Sequence, residues 1–142
     1  MFERFTDGAR SLVLGATDVT AAVGDNAIGA EHLLWAAFAA EPGNPAVAAL
    51  LQAGITKDKV LASDRTAKLR PAQVRPRLPF TDEGKAATNQ TVVEAQAVGA
   101  DRVGVEHFVL ALLSTSDTSR RLVRAGGVDP DEIRGQIRSA IS

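Results

Sequence analysis

Cysteine and tyrosine are absent from the 142 residues, tryptophan and methionine occur once each, and histidine occurs only twice. Without a thiol there is no cysteine nucleophile, no thiolate metal site and no disulfide, which fits a reducing compartment. Sign-biased charge is missing too: 16 basic against 17 acidic residues leave a net charge of −1, not the broad basic excess of a nucleic-acid coat. No run of about 18 apolar residues appears, and the opening "MFERFTDGAR" lacks the apolar centre of a signal peptide. A cytoplasmic chain with no membrane contact is expected. Neither G-x-x-x-x-G-K-[ST] nor G-x-G-x-x-G occurs, so no nucleotide is held by those loops and no cofactor is expected. What remains is 45% apolar and 23% charged, the composition of one globular domain able to bury roughly two thirds of its unfolded surface without staples.

Both histidines follow a glutamate, in "GAEHLL" (29–34) and "GVEHFV" (104–109), and the match extends. Phe5-Thr6-Asp7 returns 75 residues on as Phe80-Thr81-Asp82, Arg10 as Lys85, Gly24 as Gly99, and Ile28-Gly29 as Val103-Gly104. Later the offset slips to 72, where "LLQAGI" (50–55) answers "LVRAGG" (122–127). This is an internal duplication. A single domain over 1–142 is expected, with repeat one at 1–68, a linker at 69–79 and repeat two at 80–142.

Each repeat reads as four helices, giving an all-α fold of eight helices with pseudo-two-fold symmetry. Ala9, Leu12, Val13, Ala16, Val19 and Val23 keep the spacing of three and four that builds one helical face after Thr6, and Gly24 ends it. "AEHLLWAAFAA" (30–40) is too apolar for a solvent-facing helix, so Leu33, Leu34, Ala37 and Phe38 should point inward. Helices are expected at 45–52, closed by Gly54, and at 57–66. The second half repeats the series at 81–98, 105–114, 119–125 and 129–141, the last with Asp129 as cap, Pro130 in its first position and Glu132 completing a capping box.

The connector "LRPAQVRPRLP" holds three prolines and three arginines and should run extended. Seven basic residues stand against two acidic ones between 56 and 79. A solvated linker explains them, and an acidic partner is the alternative. The aromatics that stack bases are missing there, so no nucleic acid is expected.

A zinc protease needs two histidines one helical turn apart, whereas each histidine here stands alone on its helix, so no metal is expected. Glu31 and His32 are neighbours about 100° apart on a helix, and a general acid-base pair would have to be built across elements. No catalytic residue is assigned. For the histidines a satisfied, buried role between helices is expected. Thr6 and Thr81 read as N-caps that leave the first amides of each helix able to meet an anion, with the cations Arg10 and Lys85 one turn inside. Two readings stand at this point: Phe5 and Phe80 turn into the core beside ordinary surface cations, or aromatic, cation and helix start form a ligand face present twice.

"MFERFTDGAR", the "IGAEHLL" and "VGVEHFV" helices, the "LLQAGI" closure and the "PFTDEGK" restart resemble the duplicated Clp N-terminal domain, in particular that of ClpC-type unfoldases. The resemblance spans almost the whole chain. It implies a non-catalytic, monomeric recognition domain that receives peptides, adaptors or phosphoarginine-marked proteins for an AAA+ unfoldase coupled to the ClpP peptidase. The phosphoarginine positions it carries over are Thr6 with Glu31 and Thr81 with Glu106. The binding face for cyclic peptide antibiotics of the cyclomarin type carries over as Phe2, Arg10, Val13, Pro79, Phe80 and Lys85. Ala30 and Val105 stand where the family usually has threonine, and Asn89 where it has an acid. These departures imply a diverged paralogue, and the resemblance as a whole implies a stand-alone actinobacterial copy, with a fragment of an unfoldase as the alternative. A decoy that sequesters such antibiotics and spares the unfoldase is then the alternative function.

Overall fold

The computed structural model describes residues 4–61 and 77–141. Among them run eight helices: α1 (Asp7–Ala22), α2 (Ala30–Ala40), α3 (Pro45–Gln52), α4 (Lys57–Val60), α5 (Asp82–Ala97), α6 (Val105–Thr115), α7 (Asp117–Ala125) and α8 (Pro130–Ile141). No strand forms among the described residues. Two isolated parallel bridges replace one, Phe5 with Val103 and Ile28 with Phe80. The four residues are two pairs related by the 75-residue offset, so each bridge is the symmetry mate of the other. None of the described helices is long and apolar enough to cross a membrane.

α1 begins where Thr6 Oγ1 accepts the Ala9 N–H at 3.1 Å and ends before Gly24, whose φ of +83° favours a residue without a side chain. Its buried stripe is Ala9, Leu12, Ala16 and Val19. α2 and α6 are apolar nearly all round and pack against each other, so one apolar cluster draws on both repeats. Leu33, Leu34, Ala37 and Phe38 are buried there, as expected. Phe5 and Phe108 meet edge to face at 5.5 Å inside it. Lys57 places its ammonium 5.7 Å over the Trp35 ring, tying α4 to α2.

α5 carries the mark of divergence. Where α1 buries Leu12 and Val19, α5 buries Ala87 and Glu94. The Glu94 carboxylate is held by α8: Oε2 accepts from Arg138 at 2.8 Å and Oε1 from Arg134 at 3.3 Å. Thr88 and Thr91 return their hydroxyls to the backbone of their own helix, which satisfies them without a partner element.

Three expectations need correction. The fourth helix stops at Val60, because Leu61 is extended at φ −130° and ψ 134°, and residues 62–66 lie outside the described residues. The seventh starts at Asp117 rather than Ser119, since Ser116 Oγ accepts the Ser119 N–H and serves as its cap. α8 has only half of its capping box: Asp129 Oδ1 accepts the Asp131 N–H at 2.9 Å, with no return bond from Glu132 among the described residues. Linker residues 69–76 also lie outside the described residues.

Candidate functional site

Glu31 and Glu106 are each the second residue of a buried helix, with side chains 33% and 23% exposed. Both carboxylates fold back over the preceding glycine, Gly29 or Gly104, into space that a Cβ would take. The neighbouring histidines close the same turn from the other side. Gly29 N–H donates to His32 Nδ1 and Gly104 N–H to His107 Nδ1, each at 2.8 Å. A nitrogen that accepts carries no proton, so both rings are the neutral Nε2–H tautomer. His32 Nε2 then donates to Asp25 Oδ2 at 2.8 Å. In the second repeat Ala100 stands where Asp25 stands in the first, and burial holds the His107 pKa below its ordinary value despite the opposing charges of Glu106 and Glu94. The histidines are thus buried and satisfied as helix caps.

The threonines have the geometry expected of N-caps: Thr81 Oγ1 accepts the Gly84 N–H at 3.0 Å, matching Thr6 and Ala9. Their pairing with the glutamates differs from the sequence expectation. α1 and α2 pack together, and Glu41, just past the end of α2, lies with Oε2 2.5 Å from where a Cβ on Gly8 would stand. The start of α1 therefore meets the end of α2, and the ten residues from Glu31 to Glu41 put about 15 Å between that end and Glu31. The backbone instead joins the repeats crosswise. Thr6 N–H donates to Val103 C=O and Thr81 N–H to Ile28 C=O, both at 2.9 Å. Pairing Thr6 with Glu31 and Thr81 with Glu106 is corrected: Thr6 neighbours the helix start that carries Glu106, and Thr81 the one that carries Glu31.

Around Glu106, Asn44 Nδ2 donates to Glu106 Oε2 at 3.3 Å and to Glu41 Oε2 at 3.4 Å. Around Glu31 a cleft of about 410 Å³ opens between α2, α4 and α7. Leu34, Val60 and Leu122 give it apolar walls, while Glu31, Thr118, Ser119 and Arg121 supply polar groups. Ser119 is buried, and its hydroxyl has no hydrogen-bond partner among the described residues. The second-repeat side of this cleft was not foreseen. A helix start read two residues late hides Ser116 and Thr118 in an apparent loop, and with them the contact that Glu83 makes from its own helix; the run "STSDTS" before an apolar-periodic stretch was the available signal.

The aromatic-cation face does not occur twice. Phe5 is fully buried, whereas Phe80 is half-buried at the edge of the core. Arg10 is exposed and faces Asp7 at 3.6 Å; Pro79 and Lys85 are exposed, Val13 is half-buried, and Phe2 lies outside the described residues.

The model of the Clp repeat (R) N-terminal domain matches residues 4–125. Over 139 residues, 96% of this chain, the sequence is 30% identical to the chloroplastic chaperone protein ClpC1 of Oryza sativa subsp. japonica and to the chloroplastic ClpC1 of Arabidopsis thaliana. The chain spans only 15% of the length of either. In fold it is similar to the N-terminal domain of the chaperone ClpD from Arabidopsis thaliana, with a TM-score of 0.74, 18% identity and all of both chains covered. The Hsp104 N-terminal domain from Candida albicans gives a TM-score of 0.72 at 18% identity, covering 97% of this chain and 99% of that one.

Proposed function

Because the chain belongs to the Clp repeat N-terminal domain family, we propose that it is a non-catalytic recognition domain that binds peptide segments of substrates, adaptors or phosphoarginine-marked proteins for a Clp unfoldase. The observation that supports this most is the pair of related carboxylates, Glu31 and Glu106, each partly exposed and each set against helix starts of the other repeat. A carboxylate takes a guanidinium through two parallel charge-assisted hydrogen bonds, and a helix start suits a phosphate. Arginine, marked or unmarked, is the side chain that such a site reads. Calorimetric titration with short arginine and phosphoarginine peptides tests this: micromolar binding that Glu31→Gln/Glu106→Gln abolishes is expected, and binding that survives the double substitution refutes it.

A second reading rests on Phe80, half-buried beside exposed Pro79 with Lys85 one turn inside α5. This face suits a cyclic peptide of the cyclomarin type. Phe80→Ala should then weaken cyclic-peptide binding while arginine-peptide binding persists; equal loss of both would remove it.

A further inference from the structure

The duplication places Glu83 in repeat two where Gly8 stands in repeat one. Glu83 lies in the first turn of α5 and crosses to the start of α7. There Oε1 accepts the Thr118 N–H at 3.1 Å and the Ser116 hydroxyl, and Oε2 accepts the Thr118 hydroxyl at 3.2 Å. An ionised carboxylate therefore occupies the positive pole of α7 while lying in the first turn of α5. Burial alone would raise the Glu83 pKa, but the bonds from Ser116 and Thr118 and the charge of Arg121 lower it. At the Glu106 site the comparable space beside Gly8 is reached by Glu41, an exposed side chain held by the Asn44 amide at 3.4 Å. One anion position is anchored from within, and the other is only guarded.

We propose that the Glu31 cleft takes the unmodified, cationic side chain of a peptide arginine and rejects its phosphorylated form, because Glu83 already occupies the helix pole that lines this cleft through Thr118 and Ser119. This rests on the recognition-domain reading above and assigns the ligand of one of its two sites. Glu31 offers the guanidinium its carboxylate, and Leu34, Val60 and Leu122 pack the methylene stem. The orphaned Ser119 hydroxyl, costly to leave buried and unpartnered, gains a donor from the guanidinium. Arg121 lies in the same wall, and its charge is the smallest of the influences that lower the Glu83 pKa. A phosphoryl group would instead meet Glu83 as a like charge at a helix pole already compensated.

The test uses the full chain carrying Glu106→Gln, which isolates the Glu31 cleft, and two otherwise neutral hexapeptides with one arginine or one phosphoarginine. A preference of about tenfold or more for the unmodified peptide is expected, collapsing to about twofold or less when Glu83→Gln is added. Equal affinities, or tighter binding of the phosphorylated peptide, with Glu83 intact overturn the proposal. Inorganic phosphate gives a second arm that needs no peptide. In the otherwise unaltered chain the Thr118 amide resonance should not respond to phosphate, and in Glu83→Ala it should shift saturably. A saturable shift with Glu83 present overturns the occupied pole. Failure of every peptide to bind, with the phosphate arm as expected, refutes the recognition reading and the arginine assignment while leaving the carboxylate at the pole.

Discussion

Replacing Glu94 by glutamine should destabilise the fold by about 2–3 kcal/mol at neutral pH. The side chain is buried with Oε2 2.8 Å from Arg138 and Oε1 3.3 Å from Arg134, and Gln90 adds a weaker bond at 3.4 Å. Removing one member of a buried ion pair costs roughly 3–5 kcal/mol, because the other charge stays behind. Here the Arg138 side chain is 42% exposed and that of Arg134 20%, so both guanidinium groups recover part of their hydration and the cost falls to the lower figure. Urea unfolding followed by circular dichroism reads the loss: with a slope of about 2–3 kcal/mol/M, the midpoint should drop by roughly 1 M. Acid supplies the control. Burial by itself would raise the Glu94 pKa, but the bonds from Arg138 and Gln90 and the charges of both arginines bring it below its ordinary 4.5. A carboxylate whose folded pKa is depressed contributes stability above its unfolded pKa and loses it as pH falls through the folded value. Parent and Glu94→Gln should therefore converge in acid, as the pH falls through the depressed folded value of Glu94. Equal midpoints at pH 7, or a gap that persists in acid, would refute the ion-pair account.

His107 should titrate below an ordinary histidine by nuclear magnetic resonance, and protonating it must break the Gly104 N–H bond to Nδ1. The unfolded chain then binds the proton first, so the stability His107 contributes is present above about pH 6.5 and falls as pH drops below it. Phe108→Ala empties the volume against Phe5 and should cost about 3–5 kcal/mol in thermal or urea unfolding. Gly84→Ala drives a Cβ into the Ile28 carbonyl oxygen, a backbone atom in the bridge that cannot turn aside, and should cost about 1–3 kcal/mol. Gly43→Ala, with open space around it, should leave the melting temperature unchanged, and equal effects of the two alanines would contradict the close approach.

Much of the local structure could be read from the chain because its causes are local. Thr6, Thr81, Gly24 and Gly99 mark helix ends by hydrogen-bond and φ requirements that act within three residues. The apolar spacing of α1 and the saturation of α2 and α6 fix which faces are buried, and a shared offset of 75 residues announces two copies of one unit. Where two local signals competed the reading slipped, as at α7, whose serines and threonines serve equally as loop or cap.

Most of the helices, the Thr6 and Thr81 caps and the burial of the two histidines are legible in the chain, since each follows from residues a turn apart, and the duplication is legible from its 75-residue offset. Packing in three dimensions sets which repeat each threonine serves, because the bridges from Phe5 to Val103 and from Phe80 to Ile28 join segments that no spacing connects. It also decided that Phe5 is lost in the core while Phe80 stays at its edge, although both head the same motif. The positions of Glu83 over α7 and of Glu94 under α8 belong to the same class. A carboxylate looks alike in sequence whether water or a distant helix satisfies it, and what it can bind depends on which of the two it meets.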